Sequence, residues 1–149
     1  MLNHSLARLA AACALTIAPL AHAAGPVIDV YKTATCGCCT AWVDHLKANG
    51  FTVKAHNVAD PGVIRAKFGI SAQYGSCHTG VIGGYAVEGH VPAASIKKLL
   101  KEKPKASGIA VPGMPMGSPG MEGPRKEAYN VLLVSKDGSA KPYTSHAGD

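Results

Sequence analysis

The stretch VIDVYKTATCGCC, residues 27–39, places three cysteines directly after an apolar run that is typical of a buried strand. The residues that follow, 38–49, have Trp42, Val43 and Leu46 at helical spacing, and Gly50 is a natural helix stop. Clustered thiolates where a strand leads into a helix either exchange disulfides or bind a soft metal. The function therefore depends on which other groups the fold brings to this junction.

Strands and helices alternate along the next part of the chain. The predicted elements are strands at residues 27–32, 51–58, 79–82 and 85–88, and helices at residues 38–49, 61–68 and 92–102. Asp60 and Pro61 are a good cap and first residue for the short helix, and residues 69–78 predict a loop. Gly83-Gly84 separates two strand-like runs and is a two-residue hairpin signal.

This order of elements predicts an α/β fold of thioredoxin-like topology, a mixed central sheet with helices on both faces. The opening strand-helix-strand unit requires a parallel pairing with a right-handed crossover. Residues 104–124 are rich in proline, glycine and methionine and predict an irregular loop. Two further strand-like runs, 128–135 and 140–145, predict a C-terminal β-hairpin extension.

The first 23 residues have the pattern of a secretory signal peptide. A short segment with one positive charge precedes an apolar run at residues 9–20, and Ala21-His22-Ala23 has the small residues that signal peptidase needs. We expect cleavage near Ala23, export to an oxidising compartment and no membrane insertion afterwards. The mature chain, residues 24–149, is then one domain with four cysteines.

The chain is basic, with 15 Lys and Arg against 9 Asp and Glu. Five of the lysines cluster at residues 97–105, which fits the solvated face of an amphipathic helix better than a docking surface. Aromatic residues are scarce and do not interleave with the basic ones, so the composition gives no support for nucleic-acid binding.

The predicted fold brings the last cysteine to the first three. In a thioredoxin-like domain, the loop that enters the third strand lies opposite the start of the first helix. Here that loop ends in Cys77-His78, with His78 where that fold usually has a proline. Cys36, Cys38 and Cys39 would then face Cys77.

Four converging thiols favour a metal site over a simple redox pair. Packed thiolates repel one another and need cations, and soft thiolates select Cu(I), zinc or iron–sulfur centres. Cys38 and Cys39 are adjacent and point differently, so one ion cannot readily take both together with Cys36; this favours a polynuclear site, and copper(I) over zinc. Two alternatives stay open. The first is a thiol–disulfide oxidoreductase, because Cys36 and Cys39 have the C-x-x-C spacing of such enzymes. The second is a structural domain stabilised by zinc.

Other side chains are candidate additional ligands. Met114 and Met116 lie in the proline- and glycine-rich loop, and their thioethers are soft ligands, although methionines also serve as core gap-fillers. His78 is a candidate ligand or a group that supports one. The other four histidines outside the signal segment are predicted to be surface or loop residues: His45, His56, His90 and His146.

Four motifs in order resemble a known family. They are Cys36-Gly37-Cys38-Cys39 with Trp42, Ser76-Cys77-His78-Thr79, the run YAVEGHVP at residues 85–92, and AVPGMP with GSPGME between residues 110 and 122. Together they are similar to the CopG-like proteins, small exported metal-binding proteins of copper-resistance loci that were long labelled as a domain of unknown function.

The resemblance implies a thioredoxin-like fold and copper handling in the periplasm. It implies that Cys36, Cys38, Cys39 and Cys77 bind a copper–thiolate cluster, and that the protein interconverts Cu(I) and Cu(II). Copper ions, and other periplasmic copper-resistance proteins, are the partners that it suggests.

Overall fold

The computed structural model describes residues 25–149, and the predicted signal peptide at residues 1–23 lies outside them. The strands are β1 Val27–Lys32, β2 Thr52–Asn57, β3 His78–Ile82, β4 Tyr85–Glu88, β5 Gly108–Ala110, β6 Tyr129–Val134 and β7 Ala140–His146. The helices are α1 Gly37–Ala48, α2 Gly62–Lys67 and α3 Ala93–Glu102, with a short 3-10 helix at Ala72–Tyr74. Within the described residues, no helix has both the length and the apolar content needed to cross a membrane.

One mixed sheet contains all seven strands, in the order β2-β1-β3-β4-β5-β6-β7. β1 pairs in parallel with β2, as the strand-helix-strand unit requires, and antiparallel with β3. β4 pairs in parallel with β5, and β6 runs antiparallel to both of its neighbours, β5 and β7. The predicted α/β class and mixed sheet are confirmed, and the C-terminal hairpin extends this same sheet.

Alternation along the strands divides the core between the two faces of the sheet. Val87 and Ile109 face a large cluster that includes Trp42 of α1 and Ile96 of α3. Ala86, Ala110 and Val134 face the other side, where Ile70, Phe68 and Tyr74 from the segment after α2 cover them. Helical segments therefore cover both faces of the sheet, and the candidate site lies at the strand ends beside the start of α1.

The glycine pair at residues 83 and 84 forms the predicted hairpin turn. Gly83 and Gly84 have φ of 57° and 82°, the left-handed values that a type I′ turn requires at both central positions. Ile82 pairs with Tyr85 across this turn, which fixes the register of β3 against β4.

The prediction of an irregular segment over residues 104–124 was wrong in one part. Residues 108–110 form β5, which lies between β4 and β6 in the sheet. All three residues are buried, so this short strand has no alternation of apolar and polar residues to reveal it. A side chain at Gly108 would collide with the backbone of Ala86, so glycine permits this close pairing.

The first N–H group of α3 donates a hydrogen bond to a side chain of α1. Pro92 precedes the helix and provides no side-chain cap. Instead, the Ala93 N–H donates to Nε2 of His45 at 3.1 Å. Only a neutral imidazole can accept this bond, and burial, partly offset by the Glu122 carboxylate, lowers the pKa of His45 below its ordinary value.

Because the pKa of His45 is lower in the folded than in the unfolded chain, the unfolded chain binds the proton more readily. We therefore expect the His45 contribution to stability to be present above the ordinary histidine pKa of about 6.5 and to be lost as the pH falls below it. Replacement by Gln keeps an acceptor but removes the titrating group. Urea unfolding of wild type and H45Q at about pH 8 and about pH 5 should show a smaller loss of stability for H45Q on acidification. His78 and His90 titrate in both proteins and cancel in the comparison.

A matched H45L variant should lose about 1 kcal/mol at about pH 8, because the Ala93 N–H is left without its acceptor. Equal pH dependence in wild type and H45Q would contradict this account of the cap.

Candidate metal centre

The first turn of α1 carries three of the thiols at its positive end. Cys36 is the N-cap residue, and its Sγ accepts a hydrogen bond from the Cys39 N–H at 3.3 Å. Cys38 and Cys39 lie in the first turn itself. The unpaired N–H groups of a helix start carry a partial positive charge, which stabilises thiolates. The backbone thus supplies part of the charge that a thiolate cluster needs.

The register of β3 against β1 brings in the fourth thiol. Lys32, the last residue of β1, pairs with His78, the first of β3. The chain just before β3 therefore lies beside the turn that leads from β1 into α1. Cys77 Sγ is 3.9 Å from Cys38 Sγ, and Cys38 Sγ is 3.6 Å from Cys36 Sγ.

All four sulfur atoms lie within 4.8 Å of one another, so the cluster could hold a metal ion. The predicted convergence of the four cysteines is what the structure shows. In this state a disulfide joins Cys36 and Cys39, while Cys38 and Cys77 are free and partly buried. The C-x-x-C disulfide and the cluster of four sulfur atoms therefore occupy the same place in the structure.

His90 was predicted to be a surface or loop residue, and its predicted exposure was wrong. It follows β4 in a loop, but it is fully buried, and its Nε2 lies 3.2 Å from Cys77 Sγ. The hairpin register explains this position: Thr79 pairs with Glu88, so two residues further from the turn Cys77 stands opposite His90. The glycine pair that predicts the turn therefore also predicts that His90 lies opposite Cys77.

The tautomer of His90 is set by the proline-rich loop. Its Nδ1 lies 2.9 Å from the carbonyl oxygen of Pro119. Because a carbonyl oxygen can only accept a hydrogen bond, Nδ1 carries the proton and donates. The lone pair of Nε2 then faces Cys77. Metal-binding histidines commonly have their second nitrogen held in this way. The next residue of the loop, Gly120, approaches the start of α1 so closely that a side chain there would meet the Cys38 carbonyl at 2.7 Å.

His78 is the second imidazole at Cys77. Its Nδ1 lies 3.3 Å from Cys77 Sγ, and its ring packs against Trp42 with centroids 4.3 Å apart. Within the described residues, its Nε2 is buried without a hydrogen-bond partner. Burial, followed by the neighbouring His90, lowers the pKa of His78 to about 3. Burial also lowers the pKa of His90 below its ordinary value. Both imidazoles are thus held neutral, the form that binds metals.

Cys77 is a protonated thiol in this state. Burial, followed by the nearby Cys38, raises the pKa of Cys77 to about 11. Cys77, His78 and His90 form a second group whose ligand atoms all lie within 4.8 Å, and it shares Cys77 with the thiol cluster. Sulfur and imidazole ligands therefore adjoin in one partly buried pocket.

The two methionines that were candidate ligands occupy the outer part of the loop. Met114 is 51% exposed. The Met116 side chain packs against Gly123 and lines an open cavity with residues 124–127. A ligand role for either stays a prediction.

Comparisons with known proteins agree on the family. Two solved structures described as "Copper resistance protein copG", Form 1 and Form 2, are each 50% identical to this chain. The match to Form 1 covers 83% of this chain and 99% of that one with a TM-score of 0.78, and the values for Form 2 are 82%, 98% and 0.77. This chain belongs to the CopG family of copper resistance proteins.

A family model described as "Protein of unknown function, DUF411" matches residues 74–121, which include Cys77 and both imidazoles but not the first three cysteines. The search of curated proteins found no match. The CopG relatives and the cysteine cluster together support a role connected with copper.

The disulfide pairing makes a prediction for thiol labelling. When residues 24–149 are purified without reductant and alkylated in denaturant, mass spectrometry should find labels on Cys38 and Cys77 only. Reduction before alkylation should add labels on Cys36 and Cys39. A C38S variant should carry a single label without reductant. A label on Cys36 without reduction, or a disulfide between Cys38 and Cys77, would contradict the pairing in the structure.

Proposed function

We propose that this protein is a periplasmic copper-binding protein of copper resistance, and that it holds Cu(I) in a polynuclear cysteine–thiolate site. The supporting observation is the gathering of four sulfur atoms within 4.8 Å at the start of α1. Thiolates are the ligands that select soft Cu(I). The relatives described as copper resistance proteins support copper as the cargo.

More than one copper ion is proposed because the charges require it. Four thiolates carry four negative charges in a partly buried pocket, and the helix start offsets only about half a charge. Sulfur atoms that bridge several Cu(I) ions share this charge and let Cys38 and Cys39 bind without pointing at the same ion. A single tetrahedral zinc ion is the alternative cargo.

Loading with copper requires the Cys36–Cys39 disulfide to be reduced. A dithiol donor supplies the two electrons by exchange and becomes a disulfide itself, which frees Cys36 and Cys39. Together with Cys38 and Cys77 they complete the set of four thiolates, and the remaining thiol protons are released when the metal binds. In the reverse direction, the two thiolates form the disulfide and pass one electron to each of two Cu(II) ions, which become Cu(I). We propose this balanced exchange as the basis of a Cu(I)/Cu(II) redox function.

His78 and His90 are proposed as further ligands on the Cys77 side of the site. The hydrogen bond to Pro119 orients the His90 lone pair towards Cys77, and the His78 Nδ1 lies 3.3 Å from Cys77 Sγ. Met114 and Met116 of the proline-rich loop are proposed as additional thioether ligands. In the exported protein, a signal peptide cleaved near Ala23 would leave residues 24–149 as one domain that meets copper and other copper-resistance proteins in the periplasm.

A second candidate function is supported by the disulfide itself. Cys36 is the N-cap of α1 and is joined to Cys39 at the C-x-x-C spacing. This is the arrangement of a thiol–disulfide oxidoreductase, in which these two residues would be catalytic. Such an enzyme has no need of Cys38, which therefore discriminates between the two functions.

We expect reduced, anaerobically purified protein to bind more than one Cu(I) per chain, and C38S to bind fewer ions because a bridging sulfur is lost. The measurement is copper per chain after removal of free metal. Thr40→Ala, exposed in the same turn of α1, is the matched control and should bind as wild type does.

Three outcomes would decide against the copper site. They are no bound metal together with insulin-reductase activity that depends on Cys36 and Cys39, one zinc ion with no copper, or equal copper loading of wild type and C38S.

A further inference from the structure

Glu88 is a fully buried carboxylate at the end of β4 whose two oxygens both bind the chain around Cys77. Oε1 accepts the Ser76 N–H at 2.7 Å, and Oε2 accepts the Thr79 hydroxyl at 2.6 Å. Ser76 immediately precedes Cys77, and Thr79 follows it by two residues. One carboxylate thus holds the chain on both sides of the Cys77-His78 pair.

A cation from α2 accompanies this carboxylate. Arg65 Nη1 lies 3.4 Å from Oε1 of Glu88. A buried ion pair of this kind gives little net stability, because desolvation opposes the attraction, and apolar residues of similar size often serve as well. Hydrogen bonds to a charged acceptor are nevertheless short and directional, so the carboxylate can define a geometry that apolar packing would leave loose.

The segment before β3 needs such an anchor. Between α2 and β3 its regular structure is one short 3-10 helix, and Ser76 lies outside it. The Ser76 hydroxyl donates to the Gly113 carbonyl, so Ser76 also ties the proline-rich loop to this segment. The Glu88 carboxylate is the acceptor that holds the Ser76 N–H.

We propose that Glu88 is a positioning residue of the metal site: through Ser76 and Thr79 it holds Cys77 Sγ within reach of the Cys38 thiol and the His90 imidazole. The proposal rests on the metal site of the proposed function, but the placement of Cys77 can be measured without copper. E88Q preserves the size of the side chain but removes its charge and leaves one acceptor oxygen, so the Ser76 N–H and the Thr79 hydroxyl can no longer both donate to residue 88.

The metal-free test uses a parent in which Cys36 and Cys39 are both replaced by serine. Oxidised glutathione then converts the two remaining thiols into a Cys38–Cys77 disulfide and two reduced glutathiones, and the equilibrium constant reports how well the thiols are placed. We expect E88Q to lower this constant about ten-fold or more, because a displacement of about 1 Å is costly in such reactions. Thr79→Val, which removes one hydrogen bond, should give a smaller decrease.

The control for general destabilisation is Leu133→Ala, a core change on β6 in the cluster beneath α1 and α3. It should leave the equilibrium constant within about two-fold of the parent, since its effect is on global stability and not on the Cys77 segment. If E88Q does not fold, the equilibrium constants of Thr79→Val and Thr79→Ser are compared instead. Thr79→Ser keeps the hydroxyl that donates to Glu88, so only Thr79→Val should lower the constant.

The second measurement is Cu(I) affinity in the four-cysteine protein, by competition with a chromophoric Cu(I) chelator. We expect E88Q to bind about 10- to 100-fold more weakly, the usual effect of losing a group that orients a metal ligand. If wild type binds no copper while E88Q still lowers the disulfide constant, the proposed function fails and the positioning role stands. The positioning role would be overturned if the equilibrium constant for the Cys38–Cys77 disulfide were unchanged in E88Q and Thr79→Val. It would also be overturned if Leu133→Ala lowered that constant as much as E88Q does.

Discussion

The position of β3 between β1 and β4 is the constraint on which the site depends. Pairing with β1 places Cys77 beside the start of α1, and pairing with β4 across a two-residue turn places His90 opposite Cys77. A shift of one residue in either pairing would move Cys77 to the other face of the sheet and disperse the thiols. Backbone hydrogen bonds therefore assemble a group of ligands that local sequence alone would leave far apart.

Electrostatics determines which state this assembly adopts. Burial favours neutral forms, so the free thiol of Cys77 stays protonated and the two imidazoles stay uncharged. The remaining pair, Cys36 and Cys39, is joined in a disulfide and carries no charge in this state. Soft cations offer the alternative, because several of them together compensate the charges of the four sulfur atoms. The four cysteines can thus form a sulfur–sulfur bond, as they do in this state, and their geometry could also hold a metal ion.

Much of this arrangement could be predicted from residue patterns. The strand and helix order, the hairpin turn and the meeting of the four cysteines all follow from apolar spacing, glycine chemistry and topology. β5 could not be predicted because a short, fully buried strand has no alternation. The burial of His90 was accessible through the hairpin register, whereas its tautomer depends on a contact with Pro119, 29 residues away, that no local pattern encodes.

X-ray absorption at the copper edge of the reduced, copper-loaded protein reports the atoms bound to the metal, so it tests directly whether copper binds in the thiol cluster. We expect a copper shell dominated by sulfur, scattering from neighbouring copper ions, and an imidazole contribution that decreases when His90 is replaced by alanine. A shell of oxygen and nitrogen without sulfur would contradict this expectation, since copper would then lie outside the pocket that Cys36, Cys38, Cys39 and Cys77 form.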